Sequence, residues 1–222
     1  MHALTRSELH TPTPARAAGL LYVIIILAGL SAEFLVRGPL ASGLSVPTEA
    51  VAAILRRSAL LDAAMVLADV GLAVLLFGLL RPLGAGLALA AMVFRLVQAA
   101  LIAMGLVLLL ACAEGLIPDP AATLLLHGMA YDIGLLFFGV NGVLSAVLLA
   151  RLGGIGPVLG AGLAAAGLVY GAGSTLRIVA PDLVEAFAPA YLIAIVAEVA
   201  FCAWLLTGAR AAQRVTTRQA RA

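Results

Sequence analysis

Lysine is missing altogether from the 222 residues, so all thirteen basic side chains are arginines; this points to the base composition of the coding sequence and not to a function. Charge is scarce, at 11% of residues, and 64% are hydrophobic. A soluble domain carries about 25% charged and about 45–50% apolar residues. That excludes an ordinary water-soluble fold and leaves a bilayer as the solvent. There are only two cysteines, Cys112 and Cys202. They are expected as free thiols, because the topology derived below sets them at depths too different for the roughly 4.4–6.8 Å Cα separation of a disulfide. No CxxC, HExxH or carboxylate-histidine spacing occurs, so neither a metal nor another cofactor is expected.

The apolar residues fall in runs long enough to cross a bilayer, each needing roughly 20 mostly apolar residues. Six are found, at about Ala17–Val36, Leu60–Leu80, Leu87–Leu110, Ala122–Leu149, Pro157–Leu176 and Ala190–Leu206. They do not alternate with period two as barrel strands do, and Ala and Leu dominate them. The fold class is therefore all-α, a polytopic bundle of six transmembrane helices. Residues 1–16 read as an N-terminal segment, 17–207 as one membrane domain and 208–222 as a basic tail. The first run is longer than the roughly 7–15 residues of a signal-peptide core and lacks a small-x-small cleavage site, so it is expected to be retained.

Turn chemistry separates the runs: Arg81-Pro82 with Gly84, Ile117-Pro118-Asp119-Pro120, and Gly153-Gly154-Ile155-Gly156-Pro157. Short links make antiparallel neighbours. In the longer link of residues 38 to 59, EAVAAILRRSA is expected as a brief amphipathic helix on the membrane surface. The unusually short or interrupted paired segments of discontinuous-helix transporters are not evident. Six spans put eight arginines (6, 16, 81, 151, 210, 214, 218 and 221) on the side of the termini and four (37, 56, 57 and 177) on the other. By the bias of cytoplasmic loops toward Arg and Lys, both termini are expected in the cytoplasm.

One charge interrupts the third run, Arg95 in LALAAMVFRLVQAALIAMGLVLLL. An unpaired charge at a helix centre costs about 2.5–3.5 kcal/mol on the insertion scale. Asp69 and Arg95 each stand thirteen residues from Pro82, so at about 1.5 Å per residue they reach the same depth in an antiparallel hairpin. Asp69 is thus the expected partner. Asp62 lies on its face two turns away, and Gln98 one turn from Arg95. Glu198 falls near the centre of the sixth run, Asp132 and Asn141 in the fourth, with His127 and Tyr131 nearer its outer end, and Glu33 close to the outer end of the first. Asp69, Arg95, Gln98, His127, Asp132 and Glu198 form the candidate intramembrane cluster. With Arg95 as the only deep cation, the carboxyls of Asp69, Asp132 and Glu198 cannot all be ionised, and Glu198 is the first candidate to hold a proton.

Buried polar groups also act as plain glue between helices, worth about 0.6 kcal/mol on average in one measured system. The number of ionisable groups here favours function over glue. The Gly156-x3-Gly160 and Gly167-x3-Gly171 spacings read most simply as close helix packing, and Phe137-Phe138 as a lipid-facing or core pair.

Several stretches resemble a bacterial membrane family, domain of unknown function 4386. They are AGLLY and AEF between Arg16 and Arg37, LLRP at 79–82, FRLVQA at 94–99, FFG at 137–139 and AGLVY at 166–170. The resemblance covers about residues 16 to 206. It implies an integral membrane fold, expected in the inner membrane of a bacterium, with Arg95 and Gln98 in the central motif and Asp69, His127 and Glu198 at similar positions, and it implies no activity. Arg151-Leu152-Gly153-Gly154 departs from the pattern, which has a serine soon after the arginine.

The leading expectation is an integral membrane protein with a buried ionisable cluster that binds or moves a small solute or a proton. One alternative is a membrane-embedded enzyme acting on a lipid or isoprenoid by general acid catalysis; another is a non-catalytic accessory subunit. The expected partners are the lipid bilayer and a small-molecule or lipid ligand, not nucleic acid.

Overall fold

The computed structural model describes residues 12–42 and 47–209. Arg6, most of the N-terminal segment, and the basic tail from Arg210 onward lie outside the described residues. Among those described, all regular structure is helical, and six helices are long and apolar enough to cross a membrane. We label them α1 (Pro12–Leu30), α2 (Thr48–Leu80), α3 (Ala85–Ala113), α4 (Pro120–Ala150), α5 (Gly156–Val179) and α6 (Tyr191–Leu206).

Each helix packs on the next, and α6 returns to pack on α1, so the six close into a ring. Short connections make the neighbours antiparallel. The turns at Arg81–Gly84 and Arg151–Ile155 share a face with the start of α1 and the end of α6, which we call the terminal face. Arg151 ties its two turns together by donating to the Leu83 carbonyl at 2.9 Å. The opposite, distal face carries the ends of α1, α3 and α5, where Arg56 and Glu114 form an exposed ion pair at 2.9 Å. Helix starts and stops follow local chemistry. Asp119 caps α4 by accepting from Ala121 N and Ala122 N, and Pro120 fills its first turn. Gly115, at φ +76°, follows the last turn of α3, a conformation that glycine adopts without steric cost.

Three expectations are corrected. The segment 49–59 is not a separate surface helix: no proline interrupts the chain between Thr48 and Leu80, and the helix runs straight through. Its first turns are held by Leu55 and Ala59, which pack with Leu109 of α3. The first span, expected to be continuous, is irregular on the distal side, and the last, a continuous helix as expected, is preceded there by irregular turns. A π-helical stretch, Ser31–Arg37, and one α-turn, Gly38–Ala41, continue α1. Two 3₁₀ turns and one α-turn, from Pro181 to Ala190, lead into α6, with Pro181 and Pro189 in the 3₁₀ turns. Finally, Arg37, read from sequence as the charge that ends the first span, is buried inside it.

The molecule is apolar outside and polar within. Leu20, Leu27, Leu67, Met104, Val107 and Val158 are exposed, whereas Asp62, Asp69, Arg95, His127 and Asn141 are buried. That inversion fits a bilayer, where lipid is the solvent for leucine and charges must find partners inside. On the terminal side the ring is filled by an apolar core that includes Tyr22, Leu72, Leu148, Leu149, Phe201 and Leu205. The α4–α5 contact is the tightest: a Cβ on Gly139 would lie 2.6 Å from the Gly167 carbonyl oxygen, and one on Gly160 would lie 2.8 Å from that of Ala146. Gly160 and Gly167 thus pack as the spacing on α5 leads one to expect, whereas a Cβ on Gly171 would meet nothing within 4 Å. Gly139 and Gly142 on α4 are the facing half.

Candidate functional site

The hairpin of α2 and α3 sets the first part of the site. Arg95 Nε donates to Asp69 Oδ1 at 2.7 Å and its Nη2 lies 2.5 Å from the same oxygen, with both residues 3% exposed. Gln98, one turn along α3, turns its amide nitrogen to Asp69 Oδ2 at 2.7 Å. Arg95 is also stacked on aromatic faces, 5.4 Å from the centroid of Tyr22 and 4.9 Å from that of Phe138. Such contacts suit a guanidinium removed from water. Phe138 is therefore part of the site and not a lipid-facing side chain.

Glu198 reaches this region from α6. The Tyr170 hydroxyl on α5 donates to its Oε1 at 2.6 Å. Glu198 and Tyr170 line a small cavity of about 60 Å³ together with Asp69, Arg95, Gln98 and Tyr22. Asn141 sits deeper toward the terminal face, donating to the Ala91 carbonyl at 2.8 Å and so fastening α4 to α3.

A second cluster lies toward the distal face. Arg37 Nη1 donates to Asp62 Oδ2 at 2.8 Å and to Ser58 Oγ at 2.6 Å, while its Nε and Nη2 hold Glu33 at 3.2 and 2.9 Å. His127 Nε2 stands 2.9 Å from the same Asp62 oxygen. Asp132 pairs with Arg177 at 2.6 Å. Of the six candidate residues, then, Asp69, Arg95, Gln98 and Glu198 come together, whereas His127 and Asp132 belong to this upper cluster. The expected charge balance changes too: Arg177 serves Asp132, and Glu198 is the deep carboxyl whose hydrogen-bond partner is a phenol and not a cation.

The clusters share one space. A cavity of about 420 Å³ extends from the distal side down to Glu198 and Tyr170, which also line the smaller cavity beside Arg95. Below them the spaces shrink to about 10 Å³ against the apolar core. This is a vestibule with ionisable groups on its wall and Glu198 at its floor. Among the described residues no three His, Cys, Asp or Glu side chains converge as a metal site requires.

Sequence reasoning missed Arg37 and Arg177 as site residues because both stand near span ends, where an arginine usually faces water. The π-helical stretch was the hidden signal, since irregular turns of this kind concentrate at functional sites. Glu33 and Arg37 both lie in it, and it packs against α2.

The fold and its polar interior define a multi-pass helical membrane protein. The chain belongs to the family described as domain of unknown function DUF4386, whose model matches residues 17–208. No curated protein and no solved structure matches it.

Proposed function

We propose that this protein binds a small solute in the vestibule, with Glu198 and Tyr170 at its floor and the Asp69–Arg95–Gln98 network lining the smaller cavity beneath them. The supporting observation is the cavity of about 420 Å³ lined by ionisable side chains from α1, α2, α4, α5 and α6. Ligand sites are commonly concave, of roughly 300–1,000 Å³, with a few polar groups fixed in a mainly apolar wall. Simple interhelical glue requires no such space. The tight terminal side supports binding from the distal face; passage across would require the α1–α6 contact to part.

The test is native mass spectrometry on protein extracted gently from its membrane. Wild type is expected to retain a small-molecule adduct, and Gly128→Trp to lose it. Gly128 lines the vestibule, and a Cβ there meets nothing within 4 Å, so the indole has room to enter without unfolding α4. An adduct that survives in Gly128→Trp, or its absence from both proteins, contradicts the proposal.

We further propose that the membrane is the bacterial cytoplasmic membrane, with the terminal face toward the cytoplasm. The arginines at 16, 81 and 151 on that face support it. A phosphatase reporter fused after Arg221, active only when exported, is expected to stay silent, and activity would reverse the orientation.

A further inference from the structure

Three features of the vestibule remain after its ion pairs are counted. First, its wall carries four carboxyls, Glu33, Asp62, Asp132 and Glu198, against two arginines. Arg37 is engaged by Glu33 and Asp62, and Arg177 through its Nε by Asp132, so each guanidinium already faces a carboxyl. Second, Asp62 is fully buried, and although its Oδ2 is bonded to Arg37 and His127, its Oδ1 accepts no hydrogen bond among the described residues. A buried carboxylate oxygen without a donor is costly, and a ligand that brings positive charge or an N–H lowers that cost. Third, Tyr131, Tyr170 and Tyr191 stand in the same wall, with the rings of Tyr170 and Tyr191 5.9 Å apart. Aromatic faces beside carboxyls are the usual surroundings of a bound ammonium ion.

The vestibule also has a side. The named contacts between α1 and α6 sit in their terminal halves: Gly19 lies against Leu206, Cys202 Sγ donates to the Gly19 carbonyl at 3.5 Å, and Tyr22 meets Phe201 edge to face at 6.0 Å. In the distal halves the cavity lies between the helices instead, lined by Ile26 and Leu30 of α1 and by Ile195 and Val199 of α6. Leu30, Ile195 and Val199 are at the same time 42%, 43% and 47% exposed. In a bilayer an exposed apolar side chain faces lipid, so the wall of the cavity continues into the lipid-facing surface.

Resting on the solute-binding reading above, we infer that the ligand is an organic cation with an apolar tail. Its ammonium group sits among Asp62, Glu198 and the tyrosine rings, and its tail leaves sideways through the seam between α1 and α6. The tail gains from burial and the head from charge, so each is separable by mutation.

The experiment is calorimetric titration of the full-length protein in nanodiscs with tetramethylammonium, octyltrimethylammonium and octyl sulfate, with empty nanodiscs as background. Both ammonium ions are expected to bind, the octyl compound at least tenfold more tightly, given a ceiling of about fourfold per buried methylene. Octyl sulfate is expected not to bind above background. Glu198→Gln keeps the size of the side chain and an acceptor for Tyr170, and should weaken both ammonium ions at least fivefold. Val199→Trp, on the seam, should abolish the octyl advantage and leave tetramethylammonium unchanged. Equal binding of octyl sulfate, no ammonium binding above background, or unaltered affinity in Glu198→Gln overturns the inference; an octyl advantage that survives Val199→Trp overturns the seam. An adduct that Gly128→Trp removes from protein that binds no ammonium leaves the solute site standing and refutes only its cationic ligand.

Discussion

Arg95→Leu and Asp69→Leu are each expected to cost far more folded protein than the double substitution Asp69→Leu/Arg95→Leu. Asp69 and Arg95 are both buried, and Arg95 bonds one oxygen of Asp69 while Gln98 holds the other. Removing one partner leaves the other charged in a medium that cannot solvate it, a loss of about 3–5 kcal/mol in comparable buried pairs. Removing both leaves an apolar pair of similar bulk at one depth of the α2–α3 hairpin, which lipid-embedded helices tolerate. Unfolding temperature and the monodisperse fraction on size exclusion would measure it. The double variant should recover most of the stability lost in either single one, while the retained adduct of wild type disappears with the polar network beneath the vestibule. If the two single losses simply add, the pair is not the unit described above.

Gly167→Val is expected to be the most damaging single change away from the charges. A Cβ there would lie 2.5 Å from the Gly139 carbonyl oxygen and 3.2 Å from the backbone nitrogen of Val143. Both are backbone atoms of α4, so no side chain can rotate out of the way and the two helices must part. Overpacking typically costs about 1–3 kcal/mol, and this contact belongs at or above the upper end. Parting α4 from α5 would also pull Asp132 from Arg177 and Ser174 from the Asp132 carbonyl. Gly78→Ala is the control, because a Cβ on Gly78 of α2 meets nothing within 4 Å. It should leave the unfolding temperature unchanged or slightly raised, as alanine is the better helix former. Equal behaviour of the two variants would show that α4 and α5 do not approach closely at Gly167.

What the sequence made legible was whatever depends on neighbours along the chain. The Asp69–Arg95 pair follows from equal distances to Pro82, because a tight turn fixes the register of its two helices. Gln98 follows from helical spacing, and Gly156, Gly160 and Gly167 from the close packing that small residues permit. What stayed hidden depends on how the ring closes. That Arg37 from the end of α1 meets Asp62 and His127, and that Arg177 reaches Asp132, are facts about helix ends that distort or lean inward, and an arginine near a span end carries no mark of doing so. Tyr22 and Phe138 look like any aromatic in an apolar run until Arg95 is seen beside both rings. Tyr170 gives no hint in sequence that its hydroxyl will hold Glu198, since α5 and α6 are joined by an irregular stretch that does not fix their register.

The ionisable groups line a vestibule that water and water-soluble reagents are expected to enter from the distal face and not from the terminal face. Thiol accessibility tests it most directly. In a background with Cys112→Ser and Cys202→Ser, cysteine is placed at Gly128 on the vestibule wall or at Ser145, which is buried on the terminal side. A charged, membrane-impermeant thiol reagent is then applied to sealed vesicles of either orientation. Gly128→Cys is expected to react rapidly from the face carrying Glu33 and Glu114 and not from the other, and Ser145→Cys to react from neither. An unreactive Gly128→Cys, or one that reacts equally from both faces, would contradict it.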